Sequence, residues 1–129
     1  MIRIAAALID DDAGRLLLVR KAGTEWFMQA GGKIEEGESP LSALRRELEE
    51  EIGFALAGDA ARYLGRYFAP AANEPGRIVE AEVFHVRMRQ APVARLEIEE
   101  AIWVDHATAT TLSLAPLTRD HILPLHRRL

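Results

Sequence analysis

The chain has 129 residues, 49% hydrophobic and 28% charged, with a formal net charge of −4. That balance describes one globular domain and excludes a disordered chain or a general nucleic-acid binder, which needs a basic face. With no cysteine there are no disulfides, no thiolate nucleophile and no thiolate metal site. No apolar run reaches the length of a membrane span, and Asp10 to Asp12 interrupt the first apolar stretch too early for a secretory signal, so a cytoplasmic location is expected.

Ile2 to Ile9 reads as a strand, Asp10-Asp11-Asp12-Ala13-Gly14 as a turn and Leu16 to Val19 as a short buried run, which together suggest a hairpin. Arg20 and Lys21 leave the second strand as either a solvated strand end or a phosphate contact. Trp26-Phe27-Met28 is a short strand that delivers the chain to a glycine loop, with Trp26 read as core rather than a stacking platform. The loop holds Gly31, Gly32 and Gly37, residues used where backbone must approach a phosphate or a metal closely.

A helix follows, with Ser39 as N-cap, Pro40 in the first turn and Gly53 as terminator. Leu41, Leu44, Leu48 and Ile52 fall on one stripe that should pack on a sheet. Beside it Glu47, Glu50 and Glu51 share a face at spacings of three and four. Like charges at that spacing repel by roughly 0.2–0.5 kcal/mol per pair. The negative end of the helix dipole adds ~0.3–1 kcal/mol each. A cation should offset this, and three converging carboxylates form a hard-oxygen site suited to Mg²⁺ or Mn²⁺. The plainer reading is a solvated face in which Arg45 and Arg46 pair with Glu49 and Glu50.

Arg62 to Ala69 and Ile78 to Met88 are strand-like, joined by the turn Asn73-Glu74-Pro75-Gly76. Val79, Ala81 and Val83 alternate with Glu80 and Glu82, a pattern for a sheet with one covered face. Gln90 to Arg95 is loop, Ala101 to Val104 a strand and Asp105 to Pro116 an irregular connection. Thr118 to Arg128 is a terminal helix that Pro124 should kink or divide, with Leu117, Ile122, Leu125 and Leu129 as core contacts.

The stretch from Gly32 to Phe54 resembles the signature of the Nudix (MutT-like) hydrolases: Gly, five residues, Glu, seven residues, then Arg-Glu-Leu-x-Glu-Glu-x-Gly-Phe. Gly32, Glu38, Arg46, Glu47, Leu48, Glu50, Glu51, Gly53 and Phe54 fill every defined position. The resemblance implies an α/β/α sandwich around a mixed β-sheet, with one such domain over residues 1–129. It further implies a Mg²⁺-dependent pyrophosphohydrolase, with Mn²⁺ a possible substitute, that cleaves the diphosphate linkage of a nucleoside diphosphate bound to another group. By position, Glu50, Glu51 and Glu47 are metal ligands or water-polarising groups, and the carbonyl of Gly31 also reaches the metal. Arg46 orients the glutamates and Glu38 supports the loop. Lys33 faces substrate phosphate, with Arg20 a further candidate. Glu97, Glu99 and Glu100 are alternative sources of an additional catalytic base, Glu97 standing where MutT-like members carry one. Ala30 replaces the usual proline before the glycine pair.

A nucleoside triphosphate is the leading substrate. Oxidised-guanine specialists in the family read the base with an asparagine where this chain has Thr118, which argues against that role. ADP-ribose hydrolases carry a proline about fifteen residues past the box, and Pro70 lies sixteen past Phe54 (70 − 54 = 16). An isopentenyl diphosphate isomerase with a similar box relies on a cysteine that is absent here. The remaining alternatives are an ADP-ribose or nucleotide-sugar pyrophosphatase, possible as a homodimer with the Tyr63–Val83 region lining a shared pocket, and a non-catalytic nucleotide-sensing module.

Overall fold

β1 (Ile2–Asp10) is the strand on which the other elements register, because both of its faces are apolar. Ala5, Ala7 and Ile9 belong to one buried cluster, and Ala6 and Leu8 to a second on the opposite face. This computed structural model describes residues 1–129. β1 runs parallel to β6 (Ile78–Arg87) from Ile2↔Val79 to Asp10↔Arg87, and antiparallel to β4 (Ala30–Lys33) from Ile4↔Lys33 to Ala7↔Ala30. It meets β2 (Leu16–Lys21) only at Asp10↔Leu16. The expected hairpin is therefore joined at its turn and then diverges. β2 pairs instead with β3 (Phe27–Met28) and with β7 (Ile98–Val104). β5 (Ala61–Pro70) lies outermost against β6.

α1 (Pro40–Ile52) covers the first face through Ala43, Leu44, Leu48 and Ile52. The second face is covered by Leu114, Leu117, Ile122 and Leu123 from the C-terminal segment. The mixed sheet thus sits between helical layers, an α/β/α sandwich. No helix is long and apolar enough to cross a membrane.

Several expectations require correction. The glycine segment is not a loop: β4 includes Gly31 and Gly32, because β1 supplies a pairing partner that overrides the low strand preference of glycine. Glu82 is not on a solvated face; it is 5% exposed and accepts from the Tyr63 hydroxyl at 2.8 Å and from Arg66 Nε at 3.2 Å. Val83 is fully buried, so it cannot line a pocket shared between subunits, whereas Tyr63 is exposed. The connection after β7 contains a short helix, α2 (His106–Ala109), capped by Asp105. Pro124 does divide the terminal helix: a π turn over Thr118–Ile122 precedes α3 (Leu123–Arg127), and its wider winding accommodates a ring that would crowd the carbonyl four residues back. Leu129 is exposed, and Leu123 takes the core position instead.

Candidate active site

Ser39 accepts from the Ser42 N–H at 3.1 Å, so α1 begins directly after the glycine segment and its third turn stands over β4. The two glycines serve different purposes. At Gly31, φ is +142° and an added Cβ would lie 2.9 Å from Ala6 Cα and closer still to the Ala5 carbonyl oxygen, so glycine lets β4 lie against β1. At Gly32 an added Cβ would lie 2.6 Å from Glu47 Oε1, in the space that carboxylate occupies.

Gly31 N–H donates to Glu51 Oε1 at 3.0 Å. Glu51 is 3% exposed; burial, reinforced by the neighbouring Glu47 charge, pushes its carboxyl up to about 8. Glu47 is also raised, by burial and by Glu50, against the pull of Arg46.

Arg46 ties the loop to the helix. Its Nε and Nη2 donate to the two oxygens of Glu38, each at 2.9 Å, Nη2 also to the Lys33 carbonyl at 3.0 Å, and Nη1 to Glu47 at 2.8 Å. This fork lowers the Glu38 carboxyl to about 2 and raises Arg46. Glu50 is exposed and lies 3.6 Å from Arg46 Nη1. The expected Arg45–Glu49 pair does not form; Arg45 donates to the Gly58 carbonyl.

The far end of α1 is closed by the protein itself. Gly53 takes φ +65°, and Phe54 N–H returns to the Leu48 carbonyl at 3.2 Å. Arg95 donates from its backbone to the Glu51 carbonyl at 2.9 Å and from Nη1 to the Glu49 carbonyl at 3.1 Å. Arg46, which the sequence reading offers as a partner of Glu50, and Arg95, which it does not consider, therefore offset part of the acidic helix end.

After Arg95, Leu96 is the only non-glycine residue with positive φ, +51°, and it turns the chain so that Glu97 pairs with Lys21 at 3.6 Å. Glu97 and Lys21 both act on the Glu51 carboxyl. Glu100 pairs with Arg20 at 2.6 Å on the other side of β2, and Glu99 makes no ion pair. Of the three candidate acids, Glu97 is the one brought to Glu51.

The three box carboxylates do not converge as expected. Glu47 is drawn to Arg46, Glu51 to Gly31 and Glu50 to solvent, and no three carboxylates stand at metal-holding geometry. What the corner does contain is two desolvated carboxyls, each shifted toward its neutral form, the oxygen donor set and charge deficit that a hard divalent cation fits. A cleft of about 140 Å³ shares Gly31 and Gly32 with this corner and is lined further by Lys21, Lys33, Met28 and Gln29; the α1 carboxylates do not line it. Lys33 pairs with Glu74 at 3.2 Å on its rim, whereas Arg20 is held by Glu100 and the Thr24 carbonyl.

The family model described as the NUDIX domain matches residues 1–126. The chain belongs to the Nudix hydrolase family. A CTP pyrophosphohydrolase of Escherichia coli (strain K12) is 34% identical over 121 residues, covering 90% of this chain and 84% of that protein. A MutT structure, from a comparison of the Aliivibrio salmonicida and Vibrio cholerae proteins, superposes with a TM-score of 0.75 at 22% identity, over 99% of this chain and 97% of the other. The dihydroneopterin triphosphate pyrophosphohydrolase of E. coli gives 0.81 at 18% identity, over 98% and 96%. These two likenesses are of fold.

In this Nudix site, the sequence reading did not single out Gln29. It also named Arg20 rather than Lys21 as the further phosphate contact; strand alternation from buried Leu17 and Val19 was the signal that places Lys21 on the α1 side.

Proposed function

We propose that this Nudix enzyme is a Mg²⁺-dependent nucleoside triphosphate pyrophosphohydrolase. The observation that carries the reading is the pair Glu47 and Glu51, desolvated against Gly31 and Gly32, the same two glycines that line a cleft with Lys21 and Lys33. Glu47, Glu50, Glu51 and the Gly31 carbonyl would hold Mg²⁺, with Mn²⁺ as substitute. When bound, the cation neutralises diphosphate oxygens and lowers the pKa of its water. Glu47 or Glu97 accepts a proton from the attacking water, a new P–O bond forms between the water oxygen and an anhydride phosphorus as the bridging P–O bond between the α- and β-phosphates breaks, and a nucleoside monophosphate and pyrophosphate leave. Lys33 and Lys21 hold phosphate oxygens; Arg46 and Glu38 keep the loop and Glu47 in place. The E. coli relative named for CTP supports a triphosphate substrate over a nucleotide sugar.

The test is a panel of nucleoside triphosphates, ADP-ribose and a nucleotide sugar, each with Mg²⁺ or Mn²⁺. Metal-dependent release of pyrophosphate from triphosphates, abolished in Glu50→Gln and Glu51→Gln with the fold intact, is the expected result. No metal-dependent turnover of any compound overturns the reading, and a nucleotide recovered bound and intact after long incubation replaces it with a sensing module.

A further inference from the structure

The cleft beside the glycine strand carries a polar device that the hydrolytic chemistry does not use. Gln29 joins β3 to β4, is 7% exposed, and lines the cleft. Behind it Thr118, fully buried, donates from its hydroxyl to Gln29 Oε1 at 2.7 Å. That bond occupies the acceptor end of the amide and fixes its rotation, so the NH₂ group is the end left for the cleft. The Gln29 nitrogen has no acceptor within the protein and is not sealed from solvent. Such donors are normally satisfied, and here only a ligand or water in the cleft can do so. Ile2, Ile4, Met28 and Leu117 give the same cleft apolar walls suited to a flat ring.

We infer that the Gln29 amide, held by Thr118, is the specificity-determining contact for the nucleobase and selects cytosine. This rests on the reading of the cleft as a nucleotide site with the phosphates at Gly31 and Gly32. With its oxygen engaged by Thr118 the amide is a donor only, and cytosine presents acceptors to that N–H at both O2 and an unprotonated N3. Uracil and thymine carry N–H at N3, and adenine sets a donor beside its acceptor. Guanine offers N7 and O6 together but on a two-ring base.

The test is kcat and KM for CTP, UTP, GTP and ATP with Mg²⁺ in the wild type, Gln29→Met, Gln29→Glu, Thr118→Val and Thr118→Ser. The wild type is expected to favour CTP by about tenfold or more in kcat/KM. Gln29→Met should level CTP with UTP through KM rather than kcat. Gln29→Glu, which presents acceptors only, should reverse the order toward UTP. Thr118→Val should weaken the preference and Thr118→Ser keep it, a pattern that general loss of packing does not produce. A wild type without cytosine preference, or a preference unmoved in both Gln29 variants and in Thr118→Val, overturns the inference. If no nucleotide is hydrolysed, the parent reading fails separately, and calorimetric binding of CTP against UTP with Mn²⁺ decides the base contact on its own.

Discussion

The carboxylate of Glu47 occupies the space that a side chain on Gly32 would need. Because the obstructing atoms are the end of a flexible side chain, Gly32→Ala is expected to displace Glu47 and leave the fold standing. At Gly31 the obstruction is backbone of β1 and φ is +142°, so Gly31→Ala should strain or part the β1–β4 pairing. Urea denaturation beside activity assays separates the two: Gly32→Ala loses turnover by at least about tenfold with stability within ~1 kcal/mol of wild type, and Gly31→Ala loses several times more stability.

Arg46 makes a two-pronged bond to Glu38. Removing it in Arg46→Ala should return the Glu38 carboxyl from about 2 to the ordinary range near 4, read by NMR titration. Stability should fall by ~1–3 kcal/mol as charged hydrogen bonds are lost. Arg46→Lys keeps the charge but not the fork, and should recover only part of that loss.

The Glu51 carboxyl titrates near 8 in the folded metal-free protein and near 4.5 when unfolded. Between those values the folded state holds a proton that the unfolded chain has released. Stability contributed here is therefore lost as pH rises across that window. Urea midpoints in chelator at about pH 5 and about pH 8 should show this decline, and Glu51→Gln should flatten it. Added Mg²⁺ should oppose the decline at the upper end, since it competes with the proton.

Leu96 pays a left-handed backbone strain of ~1–2 kcal/mol while its side chain is 80% exposed. Leu96→Gly relieves that strain and costs ~0.5–1 kcal/mol in unfolded-chain entropy. The net expectation is a protein as stable as wild type or up to about 1 kcal/mol more so, whereas Leu96→Val should be destabilised. Both are read from denaturation midpoints.

The sequence revealed α1 almost residue for residue, because its caps, Ser39 and Gly53, are local chemistry and its stripe has a clear period. The box also placed Glu47 and Glu51 against the glycine segment. What escaped was decided by partners distant in the chain. β4 forms because β1 lies beside it, Glu82 is buried because Tyr63 and Arg66 reach it across strands, and Arg20 is claimed by Glu100. Arg95 was invisible as a helix cap because it closes α1 from more than forty residues away, at Glu49. The Gln29–Thr118 bond spans eighty-nine positions and leaves no periodic trace.

On the proposed reading, the Glu47, Glu50 and Glu51 corner binds a hard divalent cation that its own arginines only partly replace. Calorimetric titration of Mn²⁺ into wild type, Glu50→Gln and Glu51→Gln tests it most directly. Saturable binding in the wild type, weakened at least about tenfold in each variant, is the expected result. A wild type that takes up no Mn²⁺, or variants that bind it unchanged, would contradict the account.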